Sequence, residues 1–429
     1  MERSSAKRRH PVYLILAVLT ILIFSSDAFP AATDPPNSTN LGAQLLLNTG
    51  SSTADQATGP EIIRLANGKY RMYYARYRNY STVCTGGYNL YGQCMGWTPY
   101  YRWELSYRET TDTNPPTTSS VACLNCGAAT HIGIGSSTAD QATGPEILQL
   151  TNGKFRVYYS YYNGSYWQLA YRETTDLNPP QANGTNLGAR VLLNIGSSSD
   201  VPGSPAVYRQ SNGTYRLYYH TYSNATYCTA YGIYGTCIAN GGGTYNYRIA
   251  YRDTASVCTA YGVYGNCIAY TSNPPDATNL GAQNIISASE STSTSTCTAY
   301  GWYGECIAYT TTTTVVERPA LSPEVVSLAT GAYRLYYGVS SNTSADGLYT
   351  SIKYRDTATV AALPSSTNLP SGTGSTAVAG ASNSGAGDPN VVKLVNNTYR
   401  MYYANRTATV DRYGNVYNAF SRLAYRQTQ

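Results

Sequence analysis

"GPEIIRLANGKYRMYY", residues 59–74, decides how the whole chain is read. Two runs rich in branched and aromatic residues flank Asn67-Gly68, and Asn-Gly between such runs is a strong hairpin signal. "YRMYY" alternates as a half-buried strand does. The same phrase returns as "GPEILQLTNGKFRVYY" (144–159), "SPAVYRQSNGTYRLYY" (204–219), "SPEVVSLATGAYRLYY" (322–337) and "DPNVVKLVNNTYRMYY" (388–403). Self-similarity at this scale signals a repeat architecture.

Each hairpin phrase is followed by a third strand: "LSYRET" (105–110), "LAYRET" (169–174), "IAYRDT" (249–254), "IKYRDT" (352–357) and "LAYRQT" (423–428). A fourth is written "NLGAQLLLNTG" (40–50), "NLGARVLLNIG" (186–196) and "NLGAQNIISAS" (279–289), with degenerate versions near 121–135 and 368–380. Four antiparallel strands written five times predict an all-β, five-bladed β-propeller. The chain opens on a lone fourth strand, 40–50, and ends on a third strand. That strand therefore completes the last blade, either in its own molecule or donated to a neighbour. The expected blade cores are 59–135, 144–196, 203–289, 321–380, and 387–429 with 40–50.

The Pro residues heading the first strands are 60, 145, 205, 323 and 389, spaced 85, 60, 118 and 66 apart. The longer intervals hold a second device: "CTAYGIYGTCIA" (228–239), "CTAYGVYGNCIA" (258–269), "CTAYGWYGECIA" (297–308) and the looser "CTGGYNLYGQC" (84–94). These are insertions between strands, with Tyr-Gly pairs suited to tight tips. Ten Cys in an exported chain predict five disulfides, paired by proximity as Cys84–Cys94, Cys123–Cys126, Cys228–Cys237, Cys258–Cys267 and Cys297–Cys306. A loop of about ten residues closed in this way gains roughly 2.5–3 kcal/mol. A zinc site at Cys123-x-x-Cys126 would need four ligands, and beyond residue 30 only His131 and His220 remain to supply them. No metal and no cofactor is expected.

Residues 1–28 read as a secretory signal peptide: Arg3, Lys7, Arg8 and Arg9, an apolar run from Val12 to Phe24, then Ser26 and Ala28 as small residues before cleavage. Residues 29–39 form a leader. The expected location is extracellular, with no membrane contact after cleavage. Charged residues are 12% of the chain, against roughly a quarter in ordinary domains. No basic block follows the leader, which argues against nucleic acid. Tyr numbers 45 against 4 Phe, which suggests broad half-exposed faces with wet hydroxyls, suited to sugar stacking or protein contact. Sequons stand at Asn37, Asn79, Asn163, Asn183, Asn212, Asn224, Asn342, Asn396 and Asn405, at hairpin turns or just beyond second strands, where covalent glycans fit. The Ser/Thr stretches 287–296 and 309–314 and the Pro-Pro pairs at 35–36, 115–116, 179–180 and 274–275 are candidates for O-linked sugar.

Arg108/Glu109, Arg172/Glu173, Arg252/Asp253 and Arg355/Asp356 recur in four blades, with Gln427 replacing the acid in the fifth. A catalytic group is needed once, so these pairs, like Arg71, Arg156, Arg216, Arg334 and Arg400, are expected to bond neighbouring strands. Blade-specific acids at the inner-strand starts are the better candidates: Glu61, Glu146, Glu324 and Asp388.

Here "DPNVVKLVNNTYRMYY" and "SPEVVSLATGAYRLYY" resemble the blade phrase of the five-bladed glycosidases of the arabinanase and xylosidase type. The resemblance implies an Asp before Pro as general base, with an Asp and a Glu on other blades tuning it and supplying the proton. Only Asp388 matches the base position; Gly59, Gly144, Ser204 and Ser322 occupy it elsewhere. Glu61, Glu146 and Glu324 are offset by one, which in a regular strand turns them to the other face. The Trp-bearing phrase that often follows the third strand in that superfamily is missing. The expectation is a propeller of this build without the hydrolytic trio, acting as a self-associating subunit of an extracellular fibril, sheath or matrix. A lectin-like carbohydrate-binding propeller, and a glycoside hydrolase using Asp388, are the alternatives.

Overall fold

The computed structural model describes residues 34–429 apart from 90, 119–122, 226–227, 232–236, 241–243, 262, 265, 287–288, 301–305, 318–319, 341–348, 371–373, 380–383 and 411–415. Within several strands, among them 228–231, 237–240, 267–271, 289–300 and 306–317, the backbone alone is described. The signal peptide read from residues 1–28 lies outside the described residues.

Five four-stranded antiparallel sheets form the blades. From the inner strand outwards, blade 1 is Asp55–Arg64, Tyr70–Cys84, Trp97–Glu109 and Thr130–His131. Blade 2 is Gln141–Gln149, Phe155–Tyr162, Trp167–Glu173 and Val191–Leu192. Blade 3 is Asp200–Arg209, Tyr215–Ala225, Thr244–Asp253 and Asn284–Ile286. Blade 4 is Ala320–Ser327, Tyr333–Ser340, Tyr349–Asp356 and Ser375–Ala379. Blade 5 is Ser384–Lys393, Tyr399–Val410 and Val416–Gln427, completed by Leu45–Leu46. Leu45 pairs with Tyr425 and Leu46 with Ala424, so in this chain the N-terminal strand closes its own ring.

The Asn-Gly hairpins form, with a longer turn than a two-residue loop. Arg64 pairs with Tyr70, Leu65 N–H donates to Lys69 O, and Gly68 N–H donates to Leu65 O. Only the fourth residue of the turn takes positive φ: Gly68, Gly153, Gly213 and Gly331, with Asn397 filling the role in blade 5.

The tyrosine pairs explain the core, and they correct the expectation of wet hydroxyls. Tyr73–Tyr74, Tyr158–Tyr159, Tyr218–Tyr219, Tyr336–Tyr337 and Tyr402–Tyr403 are all buried. Successive residues of a strand face opposite ways. The first Tyr of each pair therefore packs into the interface with the next blade and the second into the interface with the preceding one. Phe would pack equally well, but the first Tyr also donates its hydroxyl to a proline carbonyl of the next blade. Tyr73 reaches Pro180 O (2.9 Å), Tyr158 Pro275 O (3.0 Å), Tyr218 Pro364 O (2.6 Å), Tyr336 Pro36 O (2.6 Å) and Tyr402 Pro116 O (2.9 Å).

An arginine two residues earlier completes this lock. Arg216 binds Asp253 through both ends of its guanidinium (2.6 and 2.7 Å) and donates to Pro364 O (2.9 Å). Arg334 does the same with Asp356, Arg71 puts two nitrogens on Glu109 Oε2, Arg156 makes one bond to Glu173 (2.9 Å), and Arg400 uses Gln427 Oε1 (2.7 Å). Each guanidinium also lies over the third-strand Tyr of its own blade, as Arg71 does over Tyr107 at 4.2 Å. The proline loops are held from behind by Asn40, Asn125, Asn186, Asn279 and Asn368, whose amides donate into them. The Pro-Pro pairs are thus acceptors in the inter-blade seams.

The cassettes sit on two-stranded ribbons. The second and third strands of blade 1 run on past the inner strand to Cys84 and Trp97. Cys228–Tyr231 pairs with Cys237–Asn240, Val257–Tyr261 with Cys267–Thr271, and Ser289–Tyr300 with Cys306–Glu317. Cys84–Cys94 and Cys123–Cys126 are disulfides, and Cys258 is disulfide-bonded. The side chains of Cys228, Cys237, Cys267, Cys297 and Cys306 lie outside the described residues.

Second strands in blades 1, 3 and 5 are longer than the sequence suggested, and this moves the sequons. Asn405 lies inside Tyr399–Val410, pairs with Ala386 and Arg422, and is 5% exposed. A glycan has no room there, so Asn405 drops out as an acceptor. Asn79, Asn183, Asn212 and Asn396 are exposed, and Asn37 and Asn163 are partly so. Asn342, and the side chain of Asn224, lie outside the described residues.

Candidate axial site

The inner strands do not run straight to the ring axis. In each, the ladder skips two residues, as between Thr58 and Glu61, Thr143 and Glu146, or Gly387 and Asn390. The skipped pair is the residue before proline and the proline itself. Gly59 (φ 58°), Gly144 (57°), Ser204 (44°), Ser322 (50°) and Asp388 (49°) are all left-handed. That conformation is ordinary for Gly and strained for Ser and Asp.

This bulge corrects the expectation that Glu61, Glu146 and Glu324 turn away from the Asp388 ring. An inserted residue re-aims the side chains beyond it. All three glutamates line the same axial cavity as Asp388. Read down the five phrases, the position after the proline is Glu61, Glu146, Ala206, Glu324 and Asn390. Tyr208, two residues past Ala206, fills the gap that alanine leaves. It donates to Glu324 Oε2 (2.6 Å) and accepts from Val325 N–H (2.8 Å). Asn390 Nδ2 donates to Glu61 Oε2 (2.7 Å), Val207 N–H to Glu146 Oε1 (3.1 Å) and Val391 N–H to Glu324 Oε1 (3.2 Å).

Carboxylates crowded this way hold protons. Glu146 is pushed up to about 8 by burial and then by the charge of Glu324, with the Val207 amide pulling back. Glu324 rises to about 7 through burial, opposed by its bonds from Tyr208 and Val391. Glu61 lies well above its ordinary value, through burial first and then Glu146 and Glu324. The three titrate as a group, carrying less than their formal charge at neutral pH.

Asp388 is buried, and its carboxylate accepts from the hydroxyls of Thr58 and Ser322. Ser322 Oγ also lies 3.0 Å from Ser204 Oγ. Side chains from blades 3, 4 and 5 thus fill the space that Gly59 and Gly144 leave at the axis. Contact there is close: a Cβ on Gly144 would stand 2.8 Å from Ser204 Cα. His220 packs where Gly203 has no side chain, and Ser322 N–H donates to its Nδ1 (3.4 Å). Burial pushes His220 down to about 3, so its ring is neutral.

The cavity between these residues measures about 30 Å³. That is room for a water or two, since one water needs about 10–15 Å³ on this measure. Inverting glycoside hydrolysis needs two carboxyls roughly 6.5–9.5 Å apart, with a sugar and a water between them. Sequence reasoning found the four acids but missed Tyr208, Asn390 and His220. The signal was the phrase alignment itself: one blade lacking a polar group after its proline, with a Tyr two residues on. Among the described residues no cluster of His, Cys, Asp or Glu is arranged to hold a metal ion.

No protein-family model and no curated protein matches the chain. Solved structures do show likeness along its length. An α-L-arabinofuranosidase from Podospora anserina, solved with cellotriose, is 9% identical, with a TM-score of 0.46 over 92% of this chain and 98% of that one. The endo-arabinase of Bacteroides thetaiotaomicron is 11% identical, TM-score 0.42, over 89% and 97%. The Bacillus subtilis arabinanase Arb43A is 12% identical, TM-score 0.40, over 88% and 96%.

Proposed function

We propose that this propeller is a non-catalytic, secreted structural subunit that associates through its stapled ribbons into an extracellular assembly. The observation that carries the reading is the contrast between a filled axis and an exposed ribbon. The axial acids surround about 30 Å³ and bond to Thr58, Ser322, Tyr208, Asn390 and the Val207 and Val391 amides. The blade-1 ribbon stands past its inner strand and exposes Tyr88 (66%), Tyr91 (88%), Met95 (67%) and Trp97 (61%). Protruding strands with unpaired edges and apolar side chains are templates for association. Covalent glycan on the exposed sequons would keep such a low-charge surface soluble.

Light scattering with negative-stain microscopy on the native protein tests this directly. The expected result is a polymer that disperses when Tyr91 and Trp97 are both replaced by Ser. A compact monomer at all concentrations overturns it. The hydrolase alternative has its own assay: turnover of an arabinan or xylan oligosaccharide, abolished by Asp388→Asn, would replace this reading.

A further inference from the structure

The space missing at the axis is present elsewhere. Where the inner strands end, on the face of the hairpin turns, neighbouring blades leave grooves between them. The groove between blades 1 and 2 measures about 720 Å³, against about 470 Å³ between blades 5 and 1. Sites for small ligands usually span roughly 300–1,000 Å³ and carry a few convergent polar groups on an apolar wall.

The larger groove has the size, and its lining is more polar than apolar, as suits a ligand rich in hydroxyls. Its floor is the Arg71–Glu109 ion pair of the lock, already satisfied. Above the floor stand Arg64, Gln149 and Gln181, with the half-buried ring of Phe155 beside them. The side chains of Arg64, Gln149 and Gln181 make no hydrogen bond or ion pair with any described residue. A side-chain amide offers a donor and an acceptor in one plane, which matches a pair of sugar hydroxyls. An aromatic ring offers a face for a pyranose. A guanidinium with no acid of its own matches a carboxylate through two parallel bonds. One unpaired cation suits one negative charge rather than a run of phosphates.

We propose that the groove between blades 1 and 2 binds a saccharide bearing a carboxylate, with Arg64 on the acid, Gln149 and Gln181 on hydroxyls, and Phe155 under a ring. The proposal stands whether or not the rings assemble.

Calorimetric titration of the intact protein with a galacturonic acid trimer, and with its methyl ester, is the test. The free acid should bind saturably and the ester at least about tenfold more weakly. Arg64→Gln should weaken the acid by about tenfold and leave the ester unchanged, while Gln149→Ala should weaken both. Arg209→Gln, at the same strand position of blade 3, should change neither, and melting curves check that each variant folds. No binding of the acid at millimolar concentration, equal binding of acid and ester, or binding indifferent to Arg64→Gln would each overturn the assignment.

Discussion

The seams between blades and the hub at their centre are built on opposite plans. Every seam uses the same parts: an Arg, a Tyr two residues on, an acid or Gln on the third strand, and a loop held by an Asn. Five of them make a closed cycle, from Arg71 on Pro180 round to Arg400 on Pro116. The hub has no such uniformity. Its five bulges carry Gly, Gly, Ser, Ser and Asp, and the next layer carries Glu, Glu, Ala, Glu and Asn. Five seams are geometrically equivalent, so one solution serves them all. The axis is one place shared by five strands, and five identical side chains would collide there. Repetition marks the scaffold; asymmetry marks the point where strands must be told apart.

The largest expected effect comes from breaking a seam. Arg216→Ala removes a buried cation, leaves Asp253 without this ion-pair partner and takes one of two donors from each of the Leu363 and Pro364 carbonyls. A loss of about 3 kcal/mol is expected from the charge-assisted bonds alone, read as a lower urea midpoint. If seams are independent, Arg156→Ala should cost a similar amount and the two losses should add.

The hub should answer to pH through Glu146 and His220. A carboxyl whose folded pKa is raised holds a proton that the unfolded chain has already released. The stability tied to Glu146 is therefore fully present below about 4.5 and lost as pH rises towards about 8. His220 acts at the other end, losing stability as pH falls from about 6.5 to about 3. Glu146→Gln should flatten the alkaline limb of a melting-temperature profile while leaving the acid limb in place. An unchanged alkaline limb would place that sensitivity outside the hub.

Smaller effects sharpen the same contrast. Tyr218→Phe keeps the packing and removes one hydrogen bond to Pro364, a loss of about 1 kcal/mol. Replacing Cys84 and Cys94 by Ser should leave the ring within about 0.5 kcal/mol of its starting stability, because the ribbon can open without the blades. A large loss of ring stability in that double variant would show that the ribbon supports the ring.

The sequence by itself determined the repeat, the strand order and the need for strand 40–50 to complete a last blade, while the structure places that strand, at Leu45–Leu46, in its own ring. Those follow from local turn chemistry and from a pattern written five times. It also placed the four acids at the inner-strand starts. Tertiary structure decided where their side chains point: the positive-φ residue before each proline inserts a bulge, and a period-2 reading of the strand carries no sign of it. It decided too that paired tyrosines are buried, since a residue with a hydroxyl reads as half-wet until the neighbouring blade brings a carbonyl to it. Asn405 shows the same limit. An Asn-x-Thr reads as a surface site until the strand containing it is found second in a four-stranded sheet, with partners on both sides. Strand period and turn type are properties of neighbours in the chain, whereas burial at a seam or an axis belongs to residues tens to hundreds of positions apart.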